Sequence, residues 1–406
     1  MAIRFDILKR LSCNQARLGR VTTLHGSFDT PAFMPVATAA AMKGILPSQV
    51  RECGAQIILN NAYHLLLRVG VERMTALGGS HRFMRWDGPM LTDSGGYQAY
   101  SMSDINKVDE GGVTFRSFVD GSSVRLGPKE SMAIQNAIGA DIIMAFDDCP
   151  PSPSGGSAGG ASEDDEAKAD DAGPARPMAT RRPSTDPERY RARVIEALDR
   201  TSRWLSECVR HHAHPDRQAL FGIVQGGTDL ALRQRSMESV CAVELPGYAI
   251  GGVAVGEGTE EIRRVVEFTA PRLPDSKPRY LMGVGYERDI VMAVAAGVDM
   301  FDCVLPTRNG RNGFAFTRTG PHRLRNACHT LSQEPLDPTC DCVACQGGFS
   351  RAYLRHLFMA EEMLGPILVS LHNLRHYQRL MLDIRRAITD DAWSAFLRAW
   401  PVLSAE

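Results

Sequence analysis

Short apolar segments alternate with amphipathic stretches along most of the 406-residue chain. Seven apolar runs end abruptly in polar or glycine-rich residues: AQIILNNAYHL, GPMLTDSGG, ADIIMAFDDC, QALFGIVQGG, GYAIGGVAVG, RYLMGVG and DMFDCVLPT. Such runs are typical of parallel strands buried on both faces. Between them, apolar residues recur at helical spacing, as in Ile195, Leu198, Leu205 and Val209. The pattern predicts repeated β-α units, and we expect a (β/α)8 barrel whose site gathers at the carboxyl ends of its strands.

An open doubly wound sheet is the alternative architecture. It would concentrate its polar residues near one switch point, whereas polar residues end nearly every predicted strand here. After about Thr330 the alternation stops, and a cysteine-rich loop precedes two helices, the last with apolar residues at three- and four-residue spacing: Leu374, Tyr377, Met381, Ile384 and Ile388. We therefore expect a barrel domain over residues 1–329 and an appended subdomain over 330–406.

The composition changes between about Pro150 and Pro187, where Pro, Ser, Gly, Ala and charged residues dominate. Too few large apolar side chains are present to offset the chain entropy, so this segment is predicted to be a disordered surface insertion. Residues 161–172 hold six acids and one lysine, a charge of -5, within a chain of net charge -1. The remainder therefore carries +4, which permits an RNA partner without requiring one.

Targeting and membrane signals are missing from the sequence. The first residues lack the apolar core of a secretory signal, and no apolar run is long enough to cross a bilayer. We expect a cytoplasmic protein with no membrane partner. Seven of the ten cysteines are scattered through apparent core and helix segments, which favours reduced thiols over disulfides.

The other three cysteines are clustered as Cys340, Cys342 and Cys345, and His372 follows at what reads as the start of a helix. Three thiolates and one imidazole satisfy a tetrahedral zinc ion with no position left open, which indicates one structural Zn2+. The alternatives are His356 or His376 as the fourth ligand, or no metal.

Two carboxylates are candidates for glycosyl chemistry. Asp302 ends an apolar run just ahead of Arg308 and Arg311, which we expect in the following loop, where their side chains can bind phosphates or bases beside a rigidly held nucleophile. Asp93 ends another run and precedes Gly95 and Gly96, which let a ligand approach the backbone. Glycosyl transfer requires one carboxylate to attack the anomeric carbon and another to manage protons.

A third strand end carries Asp147 and Asp148, either of which suits the N1-H and exocyclic amine of guanine. Gln225 offers an amide to a base, and Gly226, Gly251 and Gly252 offer bare backbone at strand ends. Tyr97 and Met282 could sandwich the ring of the base.

Taken together, LTDSGGYQ, AFDDC, FGIVQGG, YAIGGVAVGE, YLMGVG, MFDCVLPTRNGRNG and CDCVAC with a later LHN closely resemble the tRNA-guanine transglycosylases. The resemblance covers nearly the whole chain. It implies a TIM barrel with a zinc subdomain and exchange of the wobble guanine of tRNAs with a G-U-N anticodon for a 7-deazaguanine base. It also implies a homodimer that reads the anticodon loop and needs no nucleotide cofactor.

The resemblance implies roles for individual residues. Asp302 corresponds to the nucleophile that forms a covalent ribosyl ester, and Asp93 to the proton acceptor. The substrate-binding positions are Ser94, Gly95, Gly96, Tyr97, Asp147, Cys149, Gln225, Gly252, Val255 and Met282. The RNA-binding positions are Gly283, Val284, Gly285, Tyr286, Glu287, Arg288 and Asp289, with Thr307, Arg308, Asn309, Gly310 and Arg311.

The incoming base is open between two choices. Cys149 and Val255 resemble the bacterial pocket for 7-aminomethyl-7-deazaguanine, whereas PGYAIGG, KPRYLMGVGY and HPDRQALF are similar to the eukaryotic enzyme that takes queuine. We expect the bacterial base, because bulk at Val255 would crowd queuine. Departures from the family pattern are Val69, Tyr286, Glu287 and the acidic insertion. Other classes remain as alternatives: a non-catalytic tRNA-binding partner subunit, or a zinc-dependent barrel hydrolase.

Overall fold

The computed structural model describes residues 2–102, 105–150, 186–254 and 256–404. Most of the predicted insertion, residues 151–185, lies outside the described residues, as does Val255. Among the helices that are described, none combines the length and apolar character needed to span a membrane.

The strands of the described residues are mostly short and numbered in chain order. They are β1 (Arg4–Arg10), β2 (Arg17–Thr23), β3 (Gly26–Thr30), β4 (Ala32–Met34), β5 (Val36–Ala37), β6 (Ile58–Asn60), β7 (Met90–Thr92), β8 (Ile105–Asp109), β9 (Gly112–Arg116), β10 (Ser123–Leu126), β11 (Ile142–Met144), β12 (Ala219–Val224), β13 (Gly247–Ile250), β14 (Arg279–Leu281), β15 (Met300–Asp302), β16 (Phe314–Ala315) and β17 (His322–Arg323).

The helices range from one turn to seven. They are α1 (Pro47–Glu52), α2 (Ala62–Arg68), α3 (Val71–Ala76), α4 (Gly79–Met84), α5 (Gly96–Met102), α6 (Pro128–Ile138), α7 (Pro187–His211), α8 (Leu230–Cys241), α9 (Thr259–Thr269), α10 (Glu287–Ala295), α11 (Leu305–Arg311), α12 (Val343–Gln346), α13 (Arg351–Met359), α14 (Leu364–Thr389) and α15 (Trp393–Ala399), with 3-10 turns at Ala270–Arg272, Ala327–His329 and Pro401–Ser404.

One sheet has the strand order β4-β15-β14-β13-β12-β11-β7-β6-β5. The order begins with β4 and ends with β5, and only Pro35 separates these two strands in the chain. Both ends of the order therefore belong to one extended segment, and eight distinct strands follow one another around a closed sheet. The predicted (β/α)8 barrel class is confirmed, and the open doubly wound sheet is not adopted.

The chain divides into two compact units. The first comprises Met1–Ala2, Asn61–Gly79 and Thr92–Met282, and the second comprises Ile3–Asn60, Ser80–Leu91 and Gly283–Glu406. The division of the chain at residue 329 into a barrel domain and an appended subdomain stays a prediction.

In the first unit, β11 to β14 pair in parallel in sequence order, with Phe221 opposite Met144 and Ile223 opposite Ala249. Every residue of β12 and β13 is buried, as the continuous apolar runs predict. Aspartates begin the helices that flank these strands, because the side chains of Asp186 and Asp229 accept hydrogen bonds from the first N-H groups of α7 and α8.

Two three-stranded antiparallel sheets of the described residues, and the two-stranded pair β16-β17, were not predicted. In the first unit, β8, β9 and β10 form a meander, and in the second unit β1, β2 and β3 form another. Their strands expose polar residues on one side, and no residue of β1 is fully buried. Without long apolar runs, such strands lack the signal that marked the barrel strands.

In the second unit, α14 carries the predicted apolar stripe, and Leu374, Tyr377, Met381, Ile384 and Ile388 are all buried. The same unit buries a bidentate ion pair, in which Arg17 Nε lies 2.9 Å from Asp299 Oδ1 and Arg17 Nη2 lies 2.6 Å from Asp299 Oδ2. Because Asp299 directly precedes β15, this pair holds the strand that ends in Asp302.

Candidate active site

Asp93 follows β7 directly, and its carboxylate is held by residues at the start of α2. The N-H of Ala62 donates to Asp93 Oδ1 at 2.8 Å, and the side-chain amide of Asn61 donates to Oδ2 at 2.6 Å. Asn61 is also the N-cap of α2. With 8% of its surface exposed, Asp93 is oriented by charge-assisted hydrogen bonds. The role of Asn61 was not predicted, although it directly follows an apolar run.

The glycines after Asp93 allow close approach between protein segments. Gly95 has φ +77°, and a Cβ there would lie 3.1 Å from the backbone nitrogen of Tyr63. A Cβ at Gly96 would lie 2.9 Å from the carbonyl oxygen of Asp147. The sequence suggested that these glycines admit a ligand. In the structure they bring Ser94 and the start of α5, which carries Tyr97, against Asp147.

Asp147 lies three residues beyond β11 and is 6% exposed. Its Oδ2 accepts a hydrogen bond from Gln225 Nε2 at 2.6 Å, and its Oδ1 accepts one from Ser94 Oγ at 3.3 Å. Burial raises the pKa of Asp147 to about 6; the hydrogen bond from Gln225 opposes this rise, and the neighbouring charge of Asp148 adds to it. Three strand ends of the first unit thus meet at one carboxylate.

The structure separates Asp147 from Asp148. The fully buried Asp148 carboxylate is bound by two arginines of α7: Arg193 Nη2 lies 2.6 Å from Oδ1, and Arg200 contacts Oδ2. The Asp148 N-H donates to Thr201 Oγ1 at 3.0 Å. Both carboxylate oxygens of Asp148 are bound by charged donors of α7, whereas those of Asp147 are bound by the neutral donors Ser94 and Gln225.

Gln225 and Gly252 follow β12 and β13 and lie side by side. Gly252 has φ +60°, and a Cβ there would come within 2.1 Å of Gln225 Oε1, so only glycine fits. A small cavity is lined by these residues, two further glycines and side chains of the loop before α7 and of α7 itself: Gln225, Gly226, Gly227, Gly252, Pro150, Tyr190, Val194 and Ala197.

Two more predicted pocket residues lie in the first unit. Cys149 is buried, and burial holds the pKa of its thiol above the usual range. The side chain is therefore a neutral thiol and not a thiolate. Met282 follows β14, is half-buried, and donates its N-H to the carbonyl of Ile250 at 3.3 Å.

In the second unit, Asp302 is the last residue of β15 and is partly exposed. The N-H of Gly283 donates to Asp302 Oδ1 at 2.8 Å. Arg308 and Arg311 were expected in a loop, but they lie on α11, which begins at Leu305. A Cβ at Gly310 would lie 2.6 Å from Ser370 Oγ, so this glycine lets α11 pack closely on α14.

The predicted RNA-binding residues differ in exposure. Gly283, Arg288 and Arg308 are exposed, and Tyr286, Asn309 and Arg311 are partly exposed. The others are buried: Val284, Gly285, Glu287, Asp289, Thr307 and Gly310. Glu287 is committed within the protein, since its carboxylate lies 2.9 Å from His376 Nε2. Contacts to RNA stay a prediction for all of these residues.

The clustered cysteines meet His372 in the second unit. The ligand atoms of Cys340, Cys342, Cys345 and His372 lie within 4.8 Å of one another, and all four residues are buried. His372 Nδ1 is 3.5 Å from Cys342 Sγ and 3.4 Å from Cys345 Sγ. Its Nε2-H donates to the carbonyl of Phe316 at 2.8 Å, which leaves Nδ1 for a metal.

Four soft and borderline donors that converge in this way fit a closed tetrahedral metal site. His372 is the ninth residue of α14 and not at the start of a helix, as the sequence suggested. Of the alternative ligands, His376 pairs with Glu287, and His356 is exposed on α13.

Comparison with known proteins identifies the family. A family model described as queuine tRNA-ribosyltransferase matches residues 12–162 and 178–402. The chain belongs to the queuine tRNA-ribosyltransferase family. The resemblance that the motifs indicated is thereby confirmed, and the chain is a pentosyltransferase enzyme. The unmatched residues 163–177 fall within the acidic segment that was expected to be absent from typical members.

Individual relatives match over nearly their whole length. A queuine tRNA-ribosyltransferase of Synechococcus elongatus is 46% identical over 399 residues, covering 98% of this chain and 94% of the relative. Those of Symbiobacterium thermophilum and Thermus thermophilus are 46% and 47% identical, covering 100% and 97% of this chain and 94% and 92% of the relatives.

The raised pKa of Asp147 predicts a pH-dependent stability. The native state holds this proton more tightly than the unfolded chain between pH 3.8 and about 6, so the stability of the wild type falls as pH rises through that window. We expect Asp147→Asn, which keeps an acceptor for Gln225, to melt at a higher temperature than the wild type above pH 6, with the gain vanishing near pH 4.

Asp109 on β8 provides a control of opposite sign, because the hydrogen bond from Arg125 holds its pKa below the usual range. At neutral pH, Asp109→Asn should not melt at a higher temperature than the wild type. A melting difference between Asp147→Asn and the wild type that is the same at pH 4 and pH 8 would contradict the burial argument.

Proposed function

We propose that the chain exchanges the wobble guanine of tRNAs with a G-U-N anticodon for 7-aminomethyl-7-deazaguanine, as part of queuosine formation. The observation that carries this proposal is the Asp147 carboxylate, bound by Ser94 and Gln225 beside the bare backbone of Gly252. Such a carboxylate suits two parallel donors, and guanine offers N1-H and its exocyclic amine on one edge. The amide of Gln225 and the backbone of Gly252 suit its O6.

The proposed reaction is a double displacement. A carboxylate oxygen of Asp302 attacks C1' of the ribose, the bond from C1' to N9 of guanine breaks, and guanine leaves as an anion that takes its ring proton from water; the proton that Asp93 later accepts is returned to water. The incoming base then loses its N9 proton to Asp93 and attacks C1', which breaks the ester and frees Asp302. Two inversions preserve the β configuration. The enzyme ester conserves the glycosidic bond energy, so no nucleotide cofactor is needed.

Several contacts support these roles. Asp302 is oriented by the N-H of Gly283 and is partly exposed, as a nucleophile that meets RNA must be. Asp93 is held by Ala62 and Asn61, which fixes the geometry of a proton acceptor. Arg308 and Arg311 follow Asp302 on α11 and supply positive charge for the anticodon loop.

The exchange reaction can be followed with labelled guanine and an unmodified tRNA-Tyr transcript. We expect label at the wobble position alone, and its chase by 7-aminomethyl-7-deazaguanine more efficiently than by queuine. The second result is expected from the sequence resemblance, because Val255 corresponds to a position of the bacterial pocket where bulk would crowd queuine. Absence of label from the RNA would overturn the proposed reaction, and equal or better chase by queuine would overturn the choice of base.

The covalent step predicts an RNA adduct. The wild type should give a slow-migrating protein-RNA band on a denaturing gel. Asp302→Asn should lose the band because an amide does not form the ester, whereas Asp93→Ala should keep it and slow exchange by about 10²–10⁴-fold, as expected for a lost general base. Asp216→Asn, on an exposed loop before β12, is the matched control and should behave as the wild type. A normal band from Asp302→Asn would reverse the assignment.

We also propose that the Cys3His cluster holds one structural Zn2+ and that the surface around it joins two copies of the chain. All four donors are used by the metal, which then ties the loop of Cys340–Cys345 to α14 and supplies no open position for water. In the segment of the chain that carries these cysteines, large apolar side chains are exposed: Leu331, Val343, Tyr353, Met359 and Met363. Apolar surface of this kind marks an interaction site.

The zinc content of the purified protein tests the metal site, and its molar mass in solution tests the dimer. We expect one zinc per chain and a molar mass in solution of twice 44.5 kDa. Cys345→Ala should lose the zinc and melt at a lower temperature, whereas Cys328→Ala, on the exposed 3-10 turn, should keep it. Zinc bound by Cys345→Ala would contradict the ligand set, and a monomer at micromolar concentration would contradict the dimer.

A further inference from the structure

Arg233 on α8 is a fully buried arginine with no assigned role. Its guanidinium donates to four backbone carbonyls: Nε to Gly227 at 2.8 Å, Nη1 to Val224 at 3.0 Å and to Gly251 at 2.6 Å, and Nη2 to Gly252 at 2.9 Å. Val224 ends β12 and Gly227 lies in the loop after it, and Gly251 and Gly252 lie in the loop after β13. One side chain therefore ties together the backbones on either side of Gln225 and Gly252.

A second side chain of α8 holds the same loop. Ser236 lies one helical turn after Arg233, and its Oγ accepts the N-H of Gln225 at 2.9 Å. Residues three apart share a helix face, so α8 presents a donor fork and an acceptor to the end of β12. The carbonyl of Val224 and the N-H of Gln225, which form one peptide unit, are both bound by this face.

The geometry of the peptide unit gives these bonds a consequence for base reading. A trans peptide points its C=O and N-H in opposite directions. The bond from Arg233 to the carbonyl of Gly251 therefore turns the N-H of Gly252 away from the guanidinium. Within the part of the chain that the structure describes, that N-H donates to no protein acceptor. Gly252 also lines the cavity beside Gln225.

We propose that Arg233, with Ser236, is a positioning residue for base recognition: it aims the N-H of Gly252 and the side chain of Gln225 at the carbonyl edge of the incoming or leaving base. This inference rests on the proposed function. The guanidinium suits the task because its planar fork supplies five donors in fixed directions, whereas a lysine ammonium is a single point of charge. Burial lowers the pKa of Arg233 to about 10, so it keeps its proton at neutral pH.

The test is steady-state base exchange by Arg233→Lys, with KM for guanine, KM for the tRNA-Tyr transcript and kcat measured separately. We expect KM for guanine to rise about tenfold, the effect of one weakened hydrogen bond of about 1.4 kcal/mol, while KM for tRNA stays near the wild-type value. The KM for guanine should rise and the KM for tRNA should not, because the backbone that Arg233 binds carries the groups proposed to recognise the base.

The preference of the enzyme for one base over another is a second measurement. A loss of protein stability alone would not change this preference. The competing base 6-thioguanine keeps N1-H and the exocyclic amine but replaces O6 by a weaker acceptor. The wild type should prefer guanine, and Arg233→Lys should lose most of that preference, because the N-H of Gly252 is no longer aimed. An unchanged ratio of the two inhibition constants would overturn the proposal.

Arg279→Lys is the matched control. Arg279 is 3% exposed and donates to the carbonyl of Leu273 at 2.8 Å, but it is the first residue of β14, at the end of the strand opposite to Met282. It should lower the melting temperature without raising KM for guanine. An equal rise in both variants would make the effect a general loss of packing and would overturn the proposal.

Ser236→Ala covers the case in which Arg233→Lys does not fold. It removes only the acceptor for the N-H of Gln225, and it should raise KM for guanine and weaken the preference over 6-thioguanine in the same direction. Unchanged values in Ser236→Ala would count against the proposal. The exchange reaction of the wild type distinguishes failure of the proposed function from failure of the positioning role. If the wild type gives no labelled RNA, the proposed function is overturned. If the wild type exchanges guanine normally and the variants have the same KM for guanine and the same base preference, the positioning role alone is overturned.

Discussion

The burial of the parallel strands on both faces is the constraint on which the rest of the structure depends. Strands such as β12 and β13 have no exposed residue, so a polar side chain can occur only where a strand ends. Asp93, Asp147, Gln225 and Asp302 all stand at or just beyond a strand end. The fold therefore places these polar groups at strand ends, and the buried ones, Asp93, Asp147 and Gln225, need partners because little water reaches them.

The first unit shows how these partners are supplied. Asp147 is buried and bears the cost of desolvation, which Gln225 and Ser94 offset in part. Asp148 next to it is fully paired by Arg193 and Arg200. The two adjacent carboxylates therefore differ: Asp148 anchors α7 to the end of β11 through charged partners, and Asp147 has only neutral partners, which is the arrangement on which the proposed base recognition rests.

Much of this arrangement could be predicted from the sequence. Apolar runs that end in Asp, Gln or Gly marked the strands and the polar residues at their ends, and the spacing of Cys340, Cys342 and Cys345 marked a cluster that could hold a metal ion. The chemistry of the residues alone could not choose between Asp147 and Asp148, because the arginines that bind Asp148 lie on α7, 45 and 52 residues further along the chain; only the family resemblance indicated Asp147. The meander of β8 to β10 lacks apolar runs and was missed for that reason.

Arg233 was also missed, although the sequence holds a signal. Arg233, Ser236, Met237 and Val240 fall on one face of α8 and are all buried. An arginine on an otherwise small and apolar helix face requires internal acceptors. Which acceptors it finds depends on the loops after β12 and β13, and their positive-φ glycines have conformations that helix and strand patterns do not encode.

The central claim is that an ionised Asp147 binds the donor edge of guanine, and titration calorimetry of guanine binding between pH 4.5 and 8 tests it most directly. With a pKa of about 6, affinity should rise about tenfold per pH unit below pH 6 and level off above it, and Asp147→Asn should bind weakly at every pH. Affinity that is independent of pH, or guanine binding by Asp147→Asn as tight as by the wild type, would contradict the account.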